Sequence, residues 1–595
     1  MRLQKVVLWG WVVLAITVKA QTVFNFENTL NSGALTFAGT PVQFVGGLDG
    51  QALRLSREAG QAHLALSGLE LDGGRDFTVQ FWVKTASDQP TVLLSQKAFK
   101  SKGIAAQKHP GWALYTSHGA LGWCVGSGRR RLNYERDNGE KMPLTDGRWH
   151  HVTLTFSKAL TEMRLYYDGR PVAVYKVGFN FSNDEPLRMG VPNEGIDHEN
   201  VMLTEIEDGA KALQAFVDVF QALGAGQVED DAWLDLIVDP EALYEKKRLA
   251  QGLVGVQADT VKLKRMRQVH RALRTSPYTV YQNRKLTALK PVSRLYGLEK
   301  GRVVMDKRLA MAYTTEEQLH PADFDMDELS IHETVLSADE VLAQYRRYRT
   351  VKAEPAVKTL QSLTVGVWNI WHGGIHWNEK EHGWDSRRRI VEMLKANEVD
   401  VLLMQESYSN GDFIAAELGW VLATTSDWDY CFQGSNISVL SRFPITELHV
   451  LPAAEFNNVA VKLQISETQS IHAMSNWYGM RIFPDVYTFH EARFAQSETT
   501  PVFFGGDFNA VPHTDGGESP ASLKMLENGF TDAYRSLFPD VEQYPGFSHQ
   551  EGVRIDQLYY KGRGVRHQST EVISTWPGGF PSDHFLIVSR FQLLE

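Results

Sequence analysis

Pro501-Val502-Phe503-Phe504-Gly505-Gly506-Asp507-Phe508-Asn509 is a short apolar run that closes on two glycines, a carboxylate and an amide. An unbroken apolar run of this length, bounded by turn residues, reads as a strand buried on both faces. The pattern recurs along the last third of the chain. Leu363-Thr364-Val365-Gly366-Val367-Trp368 leads to Asn369, and Val401-Leu402-Leu403-Met404-Gln405 leads to Glu406. Asp556 lies in Arg554-Ile555-Asp556-Gln557-Leu558, and Asp583 and His584 precede Phe585-Leu586-Ile587-Val588. Between two of these runs, Arg387 to Asn397 carries Ile390, Val391, Met393 and Leu394 at the spacing of an amphipathic helix. Polar side chains just outside buried strands are what a catalytic cleft at a sheet edge requires. Any one of them could simply end a strand. Turn chemistry does not explain five such sites in this order.

In these motifs the chain resembles the endonuclease/exonuclease/phosphatase superfamily, the DNase-like fold, over residues 363–595. The pieces are Trp368-Asn369-Ile370, Gln405-Glu406, Leu440-Ser441-Arg442-Phe443-Pro444-Ile445, Gly505-Gly506-Asp507-Phe508-Asn509, Arg554-Ile555-Asp556 and Pro581-Ser582-Asp583-His584. The resemblance implies a four-layered α/β sandwich, with two mixed sheets face to face and helices outside. It implies hydrolysis of a phosphate ester by water with help from Mg²⁺ or Mn²⁺. A hard cation held by oxygen ligands neutralises the anionic ester and polarises its P–O bond. The match makes Glu406 the chief metal ligand, with Asn369 its neighbour and Asp583 close by. It gives Asp507 the attacking water and Asn509 a phosphoryl oxygen. His584 would stabilise developing charge, with Asp556 paired to it. Asp507 and His584 both remain open as the base.

One motif departs from the family. Asn476-Trp477-Tyr478 places Tyr478 where a histidine is expected, so a phenol would donate to phosphate. The segment from Tyr478 to Gly505 is short, which predicts a reduced or missing helix near Arg493-Phe494-Ala495-Gln496. His513 and Asp515, just past the Asp507 motif, are expected on the substrate side. His372, His376 and His382 follow Asn369 in a Gly- and Trp-rich loop and read as exposed.

Upstream, the pattern is all-β. Phe77-Thr78-Val79-Gln80-Phe81-Trp82-Val83-Lys84 alternates like a half-buried strand, and Asp168-Gly169 is a hairpin turn. With Gly50-Gln51-Ala52-Leu53-Arg54-Leu55, Asp146-Gly147-Arg148-Trp149-His150-His151-Val152 and Tyr167-Asp168-Gly169, this region resembles the laminin-G/concanavalin-A-like jelly-roll family. The family's closing strand normally follows a segment like Leu187-Arg188-Met189-Gly190. Here it comes much later, as Met326-Asp327-Glu328-Leu329-Ser330-Ile331. The expected organisation is multidomain: an all-β jelly-roll sandwich at 21–198 plus 321–350, a helical insertion at 199–320, a linker at 351–362 and the α/β domain at 363–595. The resemblance makes an extracellular glycan the expected partner of the sandwich, beside a phosphate-ester substrate for the α/β domain.

The chain has 595 residues, 43% of them hydrophobic, and a net charge of −10. That charge opposes a general nucleic-acid binder, which needs a basic footprint. Basic residues gather between Val261 and Ala310, with fourteen Lys or Arg against two Asp or Glu. This stretch reads as a solvated helix face, or as an electropositive surface that draws phosphate-bearing ligands. Arg2, Lys5, the apolar run Val6 to Val18, and Val18 and Ala20 spaced for cleavage read as a signal peptide over residues 1–20. The expected destination is secreted or periplasmic, with no membrane-spanning segment after cleavage. Cys124 and Cys431 fall in different domains, against a disulfide framework. Two functions follow: a secreted metal-dependent phosphoesterase, or a secreted glycan- or surface-binding protein with a vestigial hydrolase domain.

Overall fold

The computed structural model describes residues 21–594 apart from 40, 57–62, 88–90, 98–108, 118, 129, 135–140, 191–198, 225, 230–231, 254–258, 276–295, 306–321, 351–358, 375–382, 408–409, 426, 429–433 and 479–480. The expected signal peptide, most of the linker, Cys431, His376 and His382 lie outside these residues. Cys124 is a buried free thiol. Among the described residues, no helix is long and apolar enough to cross a membrane.

The N-terminal part is a two-sheet β-sandwich. One sheet runs in the order Gln43–Gly46, Gln51–Leu55, Phe324–His332, Phe77–Lys84, His150–Ser157, Glu162–Tyr167, Arg170–Lys176. The other spans Ala120–Gly126, Gly111–Ser117, Val92–Lys97, Leu187–Met189, Leu64–Leu66 and Leu35–Gly39. Phe77, Phe81, Trp112, Trp123 and Phe156 fill the space between them. The late strand Phe324–His332 slots between Gln51–Leu55 and Phe77–Lys84, so the sandwich closes around an insertion. In that insertion the helices Glu199–Gln221, Pro240–Ala250 and Thr260–Thr275 bury their own core of Leu213, Phe216, Phe220 and Met266. The expectation of helix throughout is corrected by a hairpin, Tyr296–Glu299 with Arg302–Met305. Lys300 and Gly301 turn it, with φ of 50° and 76°. Two successive positive φ values are what a tight two-residue hairpin demands.

The C-terminal part has the expected four layers. One sheet runs Val565–Ile573, Leu586–Leu593, Ser362–Asn369, Val401–Gln405, Ile437–Ser441, Val421–Thr424. The facing sheet runs Ile445–His449, Asn458–Gln464, Ser470–Trp477, Val502–Asp507, Asp556–Lys561, Thr531–Asp532. Val365, Val367, Leu403, Val439, Val461 and Phe503 pack between them. Helices Gly383–Ala396 and Gly411–Leu418 cover one outer face, while Phe483–Phe494 and Pro520–Glu527 cover the other. Phe483–Phe494 occupies the segment expected to lack a helix.

The two parts share a sheet. Arg170–Lys176, at the edge of the sandwich, pairs in parallel with Val421–Thr424 through Ala173↔Leu422, Val174↔Ala423 and Tyr175↔Thr424. The result is one continuous 14-stranded sheet. Each strand would otherwise present a row of unpaired backbone groups. Side chains reinforce the seam. Val174 is buried in the hydrolase-side core, Arg164 Nη1 donates to the Ile445 carbonyl at 2.8 Å, and Arg130 pairs with Glu455.

Candidate active site

The polar ends of Ser362–Asn369, Val401–Gln405, Val502–Asp507 and Asp556–Lys561 meet at one edge of the α/β sandwich. Gly505 and Gly506 make room for that meeting. A Cβ on Gly506 would collide with the Asn476 carbonyl oxygen, and its φ is 148°. Asn369, fully buried, bridges two carboxylates. Its Nδ2 donates to Glu406 Oε1 at 3.1 Å and to Asp507 Oδ2 at 3.0 Å. The amide orientation is set by the Trp371 N–H, which donates to Asn369 Oδ1 at 3.0 Å. Asn369 therefore offers nitrogen, not oxygen, to the cleft, which corrects its expected place as a metal ligand. Glu406 follows its strand with φ of 55°. A left-handed turn at a non-glycine residue stores about 1 kcal/mol or more and re-aims the side chain.

Asp507 is 1% exposed. Asn509 cradles it, donating from its backbone N to Oδ1 at 2.8 Å and from Nδ2 to Oδ2 at 3.1 Å. His584 Nε2 lies 3.9 Å from Asp507 Oδ2, while His584 Nδ1 is 2.9 Å from Asp556 Oδ2. Ser548 Oγ also donates to Asp556 Oδ2, at 2.8 Å. The His584 backbone is pinned by Ser582 Oγ, which accepts its N–H, and by Trp368 Nε1, which donates to its carbonyl. Burial pushes the Asp507 carboxyl up, and Asp556 and Glu406 add to that against the pull of His584. Burial alone would lower His584, but Asp556 and Asp507 outweigh it and raise its pKa. The pair is thus tuned apart from ordinary values by charges a few ångströms away.

A hard cation fits this donor set. Glu406 is a half-buried carboxylate at the strand end, and Asp583 Oδ1 is buried with no hydrogen-bond partner. Asp556 Oδ1 is likewise buried and unsatisfied. An orphaned carboxylate oxygen costs free energy unless a cation or donor reaches it. Glu406 and Asp583 are the groups that would hold Mg²⁺ or Mn²⁺.

Three expected residues are placed differently. The Tyr478 ring is 1% exposed among Phe483, Phe504 and Phe508. Its hydroxyl donates to Asn476 Oδ1 at 2.5 Å, and burial raises its pKa far above the ordinary value. Its side chain falls on the helix-covered face, so the phenol steadies the Asp507 strand and does not face the cleft. Asp515 is also engaged elsewhere. Arg535 and Arg554 both fork onto it at 2.7–2.8 Å, and Arg554 also reaches Asp532 at 2.9 Å. His513 is exposed beside this cluster. Asp515→Ala is expected to cost about 3–5 kcal/mol, the typical effect of leaving buried charges uncompensated. A urea unfolding midpoint checks this. Unchanged stability with a raised KM would return Asp515 to the substrate.

His549 lies against His584, with ring centroids 4.6 Å apart. Nothing in the sequence pointed to it, because Phe547-Ser548-His549-Gln550-Glu551-Gly552 has loop composition and no periodicity. His549, Asp583 and His584 have ligand atoms within 4.8 Å of one another, as do Asp507, Asp556 and His584.

Residues 366–584 match the Endonuclease/Exonuclease/phosphatase family. Residues 58–207 match the Concanavalin A-like lectin/glucanases superfamily. Among curated proteins, Uncharacterized protein F14F9.5 of Caenorhabditis elegans is 27% identical over 137 residues, 16% of this chain and 42% of that protein. The chain therefore spans less than half the length of that relative. The human Nocturnin catalytic domain with bound sulfate anion is 18% identical and covers 40% of this chain and 96% of that one, at a TM-score of 0.31. An endonuclease/exonuclease/phosphatase from Beutenbergia cavernae is 16% identical over 40% of this chain and 72% of that one, at 0.31. Truncated Caenorhabditis elegans TDP2 is 18% identical over 39% and 97%, at 0.30. The chain thus joins a concanavalin A-like β-sandwich to an endonuclease/exonuclease/phosphatase domain, a hydrolase of phosphate esters.

Proposed function

We propose that this protein is a secreted, divalent-metal-dependent phosphoesterase that attacks a phosphodiester or phosphomonoester with water. The observation that carries this is the unbroken relay from Glu406 through Asn369 to Asp507, and on to His584 and Asp556, drawn from four strands and one loop. Asp507, held between Asn369 and Asn509, orients the attacking water and takes its proton. His584, kept protonated by Asp556, donates to the phosphoryl oxygens as negative charge builds on them. Asn509 Nδ2 adds a second donor. Mg²⁺ or Mn²⁺ at Glu406 and Asp583 would neutralise the ester and polarise the P–O bond.

The acidic balance of residues 363–595 disfavours duplex DNA, which is held through its own phosphates by cationic side chains. A small or lipid-borne phosphoester is the substrate class we infer. Secretion, and a glycan partner for the β-sandwich, belong to the same reading and follow from the N-terminal sequence and the sandwich family. The vestigial alternative loses one of its grounds, because helix Phe483–Phe494 is complete.

Phosphate release from a model diester is expected to require added Mg²⁺ or Mn²⁺. In Glu406→Ala the metal concentration for half-maximal rate should rise more than about tenfold, equivalent to about 1.4 kcal/mol of binding. Wild-type metal dependence in that variant would remove Glu406 from the metal and overturn the assignment.

A further inference from the structure

The Ser548–Gln550 segment is stitched to the strand end that carries His584. The Phe585 N–H donates to the Ser548 carbonyl at 2.7 Å, and the Gln550 N–H to the Asp583 carbonyl at 2.9 Å. This short antiparallel bridge pairs His549 with His584 directly. Ser548 reaches inward to Asp556, while the next side chain, His549, turns to the rim beside Asp583. Its position is therefore built by the backbone and does not depend on a wandering loop side chain.

The protonation pattern of His549 can be read from its neighbours. Nδ1 accepts the Glu551 backbone N–H at 3.2 Å. A neutral imidazole with Nδ1 as acceptor carries its proton on Nε2. That Nε2 lies 3.8 Å from Asp583 Oδ2, beyond hydrogen-bond distance. Among the described residues, Nε2 has no acceptor within bonding distance. The side chain is 12% exposed, so the N–H opens toward the cleft mouth and is not sealed in the core.

We propose that His549 is a substrate-contacting residue whose Nε2–H donates to an anionic phosphoryl oxygen on the Asp583 side of the cleft. This rests on the phosphoesterase reading and adds to it a second imidazole with a different task. His584 is buried and held by Asp556. His549 sits at the rim, is supported only by a backbone N–H, and meets the anion as it enters. A metal at His549, Asp583 and His584 would need a lone pair at His549 Nε2. That would cost the Glu551 hydrogen bond, which favours the donor role.

The test uses the full chain with His549→Ala, His549→Gln and Glu406→Ala, and with inorganic phosphate and a bis(nitrophenyl) phosphate diester as probes. In His549→Ala, competitive inhibition by inorganic phosphate is expected to weaken about fivefold or more. The kcat/KM for the diester should fall about 10- to 50-fold, a loss typical of one hydrogen bond to a charged oxygen. The thermal midpoint should stay at the wild-type value. His549→Gln, which restores an N–H at similar reach, should recover most of both losses. Wild-type phosphate inhibition and kcat/KM in His549→Ala, while Glu406→Ala is inactive, would overturn this inference and leave the phosphoesterase reading standing. Loss of a bound Zn²⁺ or Mn²⁺ equivalent in His549→Ala, with phosphate inhibition unchanged, would also overturn it, in favour of the metal. Full activity in Glu406→Ala would instead overturn the reading beneath it.

Discussion

Asp507→Asn is expected to lower turnover by about a thousandfold or more while changing stability by no more than about 1 kcal/mol. The rate loss follows from the role of the carboxylate. A positioned base is worth about 10²–10⁴ in rate, and an amide in the same place cannot take a proton from water. The small stability change follows from its surroundings. The native carboxylate is desolvated and repelled by Asp556 and Glu406, against the attraction of His584. An isosteric neutral group removes the repulsion and the attraction together. Asn369 Nδ2 and the Asn509 backbone N–H still find an oxygen in the substituted amide. Steady-state kinetics at saturating Mg²⁺ and a urea unfolding curve decide it. A loss smaller than tenfold would take Asp507 out of the chemistry and leave His584 as the base. A stability drop of several kcal/mol would mean the carboxylate is structural.

The second large effect is acid destabilisation of the outer sheet of the α/β domain. His449, His472 and His490 gather around Arg493 where strands Ile445–His449 and Ser470–Trp477 meet helix Phe483–Phe494. Arg493 donates to His449 Nδ1 at 2.7 Å and to His490 Nδ1 at 3.2 Å. His490 Nε2 pairs with Asn458 Oδ1. Both ring nitrogens of His472 are buried without a hydrogen bond. Glu447, Lys462 and Lys176 also face the cluster. Burial, with Arg493 behind it, lowers His449 to about 4. Burial, with His449 and Arg493, lowers His472 to about 4. His490 is pushed well below its ordinary value in the same way.

These imidazoles are neutral in the folded protein and protonate more readily in the unfolded chain. The unfolded state therefore binds more protons between about pH 6.5 and pH 4, and stability falls as pH falls through that window. His472 alone would contribute a loss on the order of 3 kcal/mol. Asp507, whose folded pKa is raised, pulls the other way over part of the same range. The measurement is therefore a difference. Urea midpoints of wild type and His472→Phe are compared at about pH 7.5 and pH 4.5, and wild type should lose about 2–3 kcal/mol more than the variant. Parallel losses in the two proteins would show that His472 does not titrate in this window.

The sequence carried the site well where a polar residue closes an apolar run. Glu406, Asp507, Asn509, Asp556 and His584 were all legible in this way, because a buried strand must end and its last residue must face water or a ligand. Tyr478 and Asp515 failed for one shared reason. Each stands one or a few residues beyond a strand, where chain position does not say which way the side chain turns. Tyr478 turned into the aromatic layer, and Asp515 into two arginines that arrive from 20 and 39 residues away. His549 left no local signal, because its meaning comes from a backbone bridge to His584.

By itself the sequence determined the two fold classes, the interruption of the sandwich by its late closing strand, and the carboxylates and imidazole of the cleft. These follow from apolar periodicity and strand-end chemistry, which are local. Only the tertiary structure decided that strand Arg170–Lys176 would join Val421–Thr424 in one sheet, which way Asn369 turns its amide, and which histidines are buried without charge. Edge pairing, amide orientation and desolvation depend on partners distant in the chain, and no window of sequence contains both members of such a pair.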